Sequence, residues 1–249
     1  MRLAKKKIVV TGAGSGFGAA MSRLFVKEGA QVLVADLNGA AAEKVAREIG
    51  PQAVPFTVDV SVGTQVKAMV DKALSAFGDL DAVVNNAGYT HKNQPMLDVD
   101  EATYDRCFAV NVKSLYWAAQ AAVPVFRKRG GGAFLNVASV AGIRPRPGLS
   151  WYNASKGAAI LATKTMAVEL APSKIRVNAL CPVMGVTGML ESFMGMPDTP
   201  ENRSRFVATI PMGRLAEADD IAKAAVFYLT DDAEFVTGVC MPVDGGRTI

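Results

Sequence analysis

Tyr152 and Lys156 are four residues apart, a spacing that sets two side chains on one face of a helix. A free tyrosine titrates near pH ~10, and an ammonium held beside it, together with a cationic cofactor ring, favours the phenolate. Each unit of that shift corresponds to about 1.4 kcal/mol of differential stabilisation. A tyrosine poised in this way takes a proton from an alcohol as hydride leaves its carbon, or returns one to a ketone. The spacing is common by chance, so the reading needs a cofactor site and a scaffold.

The cofactor signal is the run Thr11-Gly12-Ala13-Gly14-Ser15-Gly16-Phe17-Gly18, which follows one apolar run and opens a helical pattern. There a dinucleotide pyrophosphate meets backbone N–H groups and the positive end of a helix dipole. The common GxGxxG spacing does not fit, because Phe17 and Ala19 stand at the third-glycine position in the two possible registers. Gly12, Gly16 and Gly18 instead mark a wider turn. Asp36 ends the next apolar run, at about the distance where an acid binds both hydroxyls of the adenosine ribose. A carboxylate there repels a 2′-phosphate, and neither Ser15 nor Leu37 is the basic residue that would offset it. The pattern reads as NAD rather than NADP. The alternative for Asp36 is the N-cap of the following helix.

These residues need elements to hold them, and short β-branched runs alternate with helical patterns throughout. Strands are expected at Ile8–Thr11, Gln31–Ala35, Ala53–Val58, Ala82–Asn85, Ala133–Ala138, Ile175–Leu180 and near Val239–Pro242. Helices are expected from about Gly16, at Ala40–Ile49 and Thr64–Phe77, within Ala102–Arg129, and at Trp151–Leu170 and Glu217–Leu229. This alternation implies right-handed βαβ crossovers and a parallel sheet covered on both faces. One α/β domain over residues 1–249 is expected, with an exception to compactness at about 184–211. That stretch carries four methionines before Pro197, with Gly185, Gly188, Gly195 and Pro200. Its length and its place after a strand's carboxyl end favour a substrate lid; the alternative is a methionine-packed helix pair on the surface.

With these elements in place, the whole chain resembles the short-chain dehydrogenase/reductase family. The glycine turn matches that family's TGxxxGxG, Asp59-Val60 its adenine-contacting pair, and Asn85-Asn86-Ala87-Gly88 its NNAG. Asn111, Ser139, Tyr152 and Lys156 match its catalytic tetrad, and Ile175–Pro182 resembles the strand and turn that close over nicotinamide. The resemblance implies a Rossmann-type doubly wound parallel sheet of about seven strands. It assigns Ser139 to the substrate oxygen and Tyr152 to the proton. Lys156 would bind the nicotinamide ribose and depress the tyrosine pKa, and Asn111 would hold a water that links the lysine to solvent. The expected cofactor contacts are Gly12, Ser15, Gly16, Phe17, Gly18, Asp36, Leu37, Asp59, Val60, Asn86, Ala87, Gly88, Tyr152, Lys156, Pro182, Val183 and Thr187. One departure stands out: the family's usual Pro-Gly is here Pro182-Val183-Met184-Gly185, which leaves the loop path to Thr187 open. By the same resemblance the helices within Ala102–Arg129 and over Trp151–Leu170 pair across subunits of a homotetramer, and Val243–Gly246 joins a second interface.

The activity expected is hydride transfer between NAD and a secondary alcohol or ketone. The alternatives are an NADPH-dependent ketoreductase acting on carrier-bound 3-oxoacyl chains, and a catalytically silent dinucleotide sensor. Arg144 and Arg146 border the expected cleft and could bind an acidic group on the substrate, but between Pro145 and Pro147 they read slightly better as exposed loop charges. His91, the one histidine, reads as a solvated or pocket-rim residue rather than a catalyst.

Composition narrows the classes further. In 249 residues, half of them hydrophobic, a core forms without disulfides or metals. Cys107, Cys181 and Cys240 lie far apart with no CxxC pair, as expected for buried thiols rather than a disulfide or zinc framework. The net charge of +4 comes with no interleaved aromatics, so nucleic acid is not an expected partner. With no apolar run of about 18 residues and no signal-peptide core, a cytoplasmic, soluble protein is expected.

Overall fold

Ile8 and Val10 face one side of their strand and Val9 the other, and all three are fully buried. Such a strand is covered on both faces. The next strand repeats the pattern, with Val32 and Val34 in one core and Leu33 and Ala35 in the other. The computed structural model describes all residues of 1–249 except Thr187 and Met189.

The elements run β1 (Lys7–Thr11), α1 (Gly16–Lys27), β2 (Gln31–Asp36), α2 (Gly39–Ile49), β3 (Ala53–Thr57), α3 (Gly63–Phe77), β4 (Ala82–Asn85), α4 (Glu101–Phe108), α5 (Ser114–Arg129), β5 (Gly132–Val137), α6 (Ser150–Leu170), β6 (Ile175–Pro182), α7 (Leu190–Met194), α8 (Pro200–Val207), α9 (Ala218–Leu229) and β7 (Cys240–Val243). The seven strands form one sheet in the order β3-β2-β1-β4-β5-β6-β7, and every pairing is parallel. Helices α1, α2 and α9 cover the face that carries Ile8 and Val10, and α3, α5 and α6 cover the other. Phe25 of α1 and Phe126 of α5 are fully buried anchors on opposite faces, each of a kind whose truncation to alanine costs about 3–5 kcal/mol. The order reverses between β1 and β4, and open parallel sheets bind ligands outside the strand ends at such a point.

The elements expected from sequence are present, with ends moved by one or two residues. Two details go beyond periodicity. Helices α4 and α5 are separated by a π-helical turn over Ala109–Lys113 with Asn111 buried inside it; such turns widen the backbone and often mark functional sites. The segment 184–211 carries α7 and α8, and Leu190 and Met194 of α7 are buried in the α1/α9 core.

Candidate active site

The glycine turn is held shut by its neighbour across the switch point. The Thr11 hydroxyl accepts the N–H groups of Asn86 and Ala87, both at 3.0 Å, and donates to the Val84 carbonyl. The Asn86 side-chain amide donates to the carbonyls of Thr11 and Gly12 at 2.8 and 3.1 Å. Gly12 and Gly16 have φ of +62° and +51°, a region that favours glycine. A Cβ on Gly12 would sit 2.9 Å from the Ala87 Cα, and one on Gly18 would collide with the Gly12 carbonyl. Ser15 is the N-cap of α1, and its side chain makes no capping bond, so the first amides of the helix face the cleft without a partner.

Asp36 is not the cap of α2. Asn38 holds that place, accepting from the Ala41 N–H, while Asp36 accepts the Gly14 N–H at 2.8 Å and the Asn38 N–H at 2.8 Å. The carboxylate is thereby fixed at the mouth of the glycine turn. Gly14, which the sequence pattern did not single out, leaves room for this approach: a Cβ there would lie 2.8 Å from the Ala41 Cβ and 2.9 Å from the Asp36 oxygen.

Beyond the cradle, β5 ends and the chain turns at Ser139, whose hydroxyl accepts the Ala141 N–H at 3.1 Å. Tyr152 and Lys156 project from the first two turns of α6 and are 5% and 4% exposed. The Lys156 ammonium donates to the Val137 carbonyl at 2.9 Å and lies 5.8 Å from the Tyr152 ring centroid. Gly142 lets the Ser139 turn press against α6; a Cβ there would come within 2.8 Å of the Lys156 carbonyl. That glycine was not singled out in sequence. Asn111 accepts the Tyr89 N–H at 2.9 Å and donates to the Tyr89 carbonyl and the Ser155 hydroxyl. It thus ties the segment following Gly88 to α6.

Burial governs the titration of this group. It pushes the Tyr152 phenol up, with a hydrogen bond from Ser139 pulling the other way. It pushes Lys156 down to about 8. Desolvation of both groups is the larger effect, because charge is disfavoured on each when water is removed. Cys107 and Cys181 are buried thiols raised by the same cause.

A single cleft of about 640 Å³ gathers most of the expected residues: Gly12, Ser15, Gly16, Phe17, Asp36, Leu37, Asp59, Val60, Asn86, Ala87, Gly88, Ser139, Tyr152, Lys156, Pro182 and Val183 all line it. Gly18 and Asn111 stand behind the wall, shaping it from below. Thr187 lies outside the described residues. The path after Pro182 is resolved up to Val186 by pairing: Val183 donates to the Val243 carbonyl, and Gly185 forms a bridge with Ala216. A Cβ on Gly185 would strike the Phe17 ring, so the glycine two residues later than the family's usual position serves a close approach.

His91 is neither solvated nor on the rim. It is 2% exposed, with Nδ1 bonded to the Lys92 carbonyl and Nε2 receiving the Tyr152 backbone N–H at 3.4 Å. The imidazole partners one of the free amides at the start of α6, a role invisible in sequence because its two ends lie 61 residues apart. Arg144 is exposed as expected, but Arg146 is half-buried and lines the cleft with Arg205, Phe206 and Arg247. None of these last three was singled out in sequence, since they come from distant segments.

A family model described as enoyl-(acyl-carrier-protein) reductase matches residues 12–248. The chain is 50% identical to 4-formylbenzenesulfonate dehydrogenase of Comamonas testosteroni, over all of both chains. It is 38% identical to 2-(S)-hydroxypropyl-CoM dehydrogenase 3 of Xanthobacter autotrophicus, over 99% of this chain and 98% of that one. The crystal structure of a 3-ketoacyl-(acyl-carrier-protein) reductase of Brucella melitensis complexed with NADH superposes with a TM-score of 0.94 at 45% identity, covering 99% and 100% of the two chains.

Proposed function

The chain belongs to the short-chain dehydrogenase/reductase family, and from that premise we propose that it transfers hydride between NAD and a secondary alcohol or ketone, with Tyr152 exchanging the proton. It is an oxidoreductase with a nicotinamide cofactor by that membership. The preference for NAD rests on one observation: the Asp36 carboxylate is pinned at the glycine turn by the Gly14 and Asn38 amides, where a 2′-phosphate would meet an unrelieved negative charge.

The chain's residues fit a dinucleotide. The positive-φ glycines at 12 and 16 leave backbone room for a pyrophosphate, and the uncapped start of α1 supplies N–H donors. The nicotinamide, when bound, gives or accepts the hydride. Ser139 holds the substrate oxygen, and the Tyr152 hydroxyl takes or returns its proton. Lys156, fixed by the Val137 carbonyl, holds the ribose and supplies positive charge to the tyrosine, and Asn111 keeps a water on the path from the lysine to solvent. We assign the segment 184–211, which follows β6, as a substrate lid. It places Phe193 edge-on against the Tyr152 ring at 5.1 Å. The exposed Tyr116 of α5 and Leu161 and Val168 of α6 are consistent with a homotetramer built on those two helices.

Titration of the protein with NADH and NADPH, followed by energy transfer from Trp117 and Trp151, tests the cofactor assignment. Tighter NADH binding, with NAD-linked oxidation of a panel of secondary alcohols, is expected. Tighter NADPH binding would move the reading to ketone reduction on carrier-bound acyl chains, and binding of neither would leave a protein without this chemistry.

A further inference from the structure

The two ends of the cleft differ in charge. Near the glycine turn it is lined by Asp36 and by Asp59, which has Arg106 close by, whereas Arg144, Arg146 and Arg247 line it with no carboxylate paired to them among the described residues. Arg146 is held from three sides. Its carbonyl accepts from the side chain of Asn153, the residue after Tyr152, at 2.9 Å. Its guanidinium donates to the Phe193 carbonyl at 3.2 Å and stacks 4.6 Å from the Phe206 ring centroid. Phe193, whose carbonyl accepts from the guanidinium, packs its ring on Tyr152, so one residue touches both side chains.

No carboxylate neutralises this charge. Among the described residues, none of the ion pairs involves Arg144, Arg146 or Arg247. Asp244, the residue after β7, is spent on Gly246 and Thr248, and Asp198 is paired with Arg203. Arg144 donates to the Arg247 carbonyl at 2.8 Å, which draws these like charges together. Burial and the Arg247 charge both push Arg146 below the usual arginine range. A half-buried guanidinium beside a second cation, with one hydrogen bond to a carbonyl out of five N–H donors, is costly unless an anion joins it. The dinucleotide phosphates are already provided for at the start of α1.

We propose that Arg146, with Arg247 and Arg144 beside it, is a subsite for an anionic group of the substrate, a sulfonate or carboxylate set across an aromatic ring or short apolar chain from the carbinol carbon. The planar fork of arginine matches two oxygens of such a group, and Phe193, Phe206 and Leu149 supply an apolar wall between the two polar ends. The proposal rests on the Tyr152 reading for the position of the reacting carbon.

The test is calorimetric binding of 4-acetylbenzenesulfonate and of neutral 4-methylacetophenone to the complex with NAD⁺, a non-reacting combination. The sulfonate is expected to bind about 10- to 100-fold more tightly. In Arg146→Met that advantage disappears while NAD⁺ affinity holds, and Arg146→Lys restores part of it. Should Arg146→Met not fold, Arg247→Met is expected to cut the sulfonate's advantage without touching the neutral ketone. Equal affinities in the parent protein, or an equal loss for both ketones in the variants, would overturn the subsite. A loss of NAD⁺ affinity in Arg146→Met would overturn it too, by giving the arginine to the cofactor. Reduction of the ketones by NADH is read separately: selective sulfonate binding with no reduction of either ketone leaves the subsite standing and removes the function assigned to Tyr152.

Discussion

The cofactor end and the substrate end of the cleft are built by different means. At the first, nearly everything is backbone: the positive-φ turn of Gly12–Gly16, the unpaired amides of α1, and one carboxylate at the end of the adjacent strand. At the second, almost everything is side chain, brought from the Ser139 turn, α6, the segment 184–211 and the carboxyl terminus. A site made of backbone must be written in residues that permit the backbone, chiefly glycine, at fixed spacing. A site made of side chains can be written in many ways, since packing rather than spacing decides which of them meet. The lesson is that cofactor class is legible where substrate is not.

The sharpest separation of the two ends comes from Tyr152→Phe. Turnover is expected to fall by about 100-fold or more, with NAD binding nearly unchanged in the same fluorescence titration; near-normal turnover would take the proton away from Tyr152. Asp36→Ala attacks the other end. Removing the carboxylate is expected to relax the NADH over NADPH preference by about tenfold, of the order set by one charge–charge repulsion near the surface. Some NADH affinity goes with it, since the Gly14 and Asn38 amides lose their acceptor. An unchanged cofactor ratio would mean that the carboxylate is not against the ribose.

Lys156 stands where the two ends join, and its effect is the smallest and is read in stability. Burial holds it at about 8, against 10.5 for a free lysine. Below that range it is charged in both folded and unfolded chains, and the penalty for burying the charge is present in full. As pH rises from 8 toward 10.5, the unfolded chain keeps a proton that the folded protein has released, so stability climbs with pH. Lys156→Met is therefore expected to raise Tm at pH 7 by on the order of a few degrees, and this gain should shrink toward pH 10. A gain that does not vary with pH would show that the ammonium is well solvated and that burial does not govern the substrate end.

The amino-acid sequence by itself determined the βαβ alternation, the glycine turn, the acid at the end of β2, and the Tyr152 and Lys156 pair, because each is a local pattern: period-two burial, a positive φ, or a one-turn spacing on a helix; Ser139 was read through the family resemblance. It also carried the family resemblance that ordered them. Only the tertiary structure decided that His91 is buried beneath Tyr152, that Asn38 rather than Asp36 caps α2, that Gly142 admits the Ser139 turn against α6, and that Arg146 faces the cleft unpaired. It also decided that burial is the first influence on the titration of Tyr152 and Lys156, since desolvation depends on how much protein surrounds a group. Each of these depends on segments far apart in the chain, and contacts of that kind are settled by packing and exclusion of water, which no local spacing records.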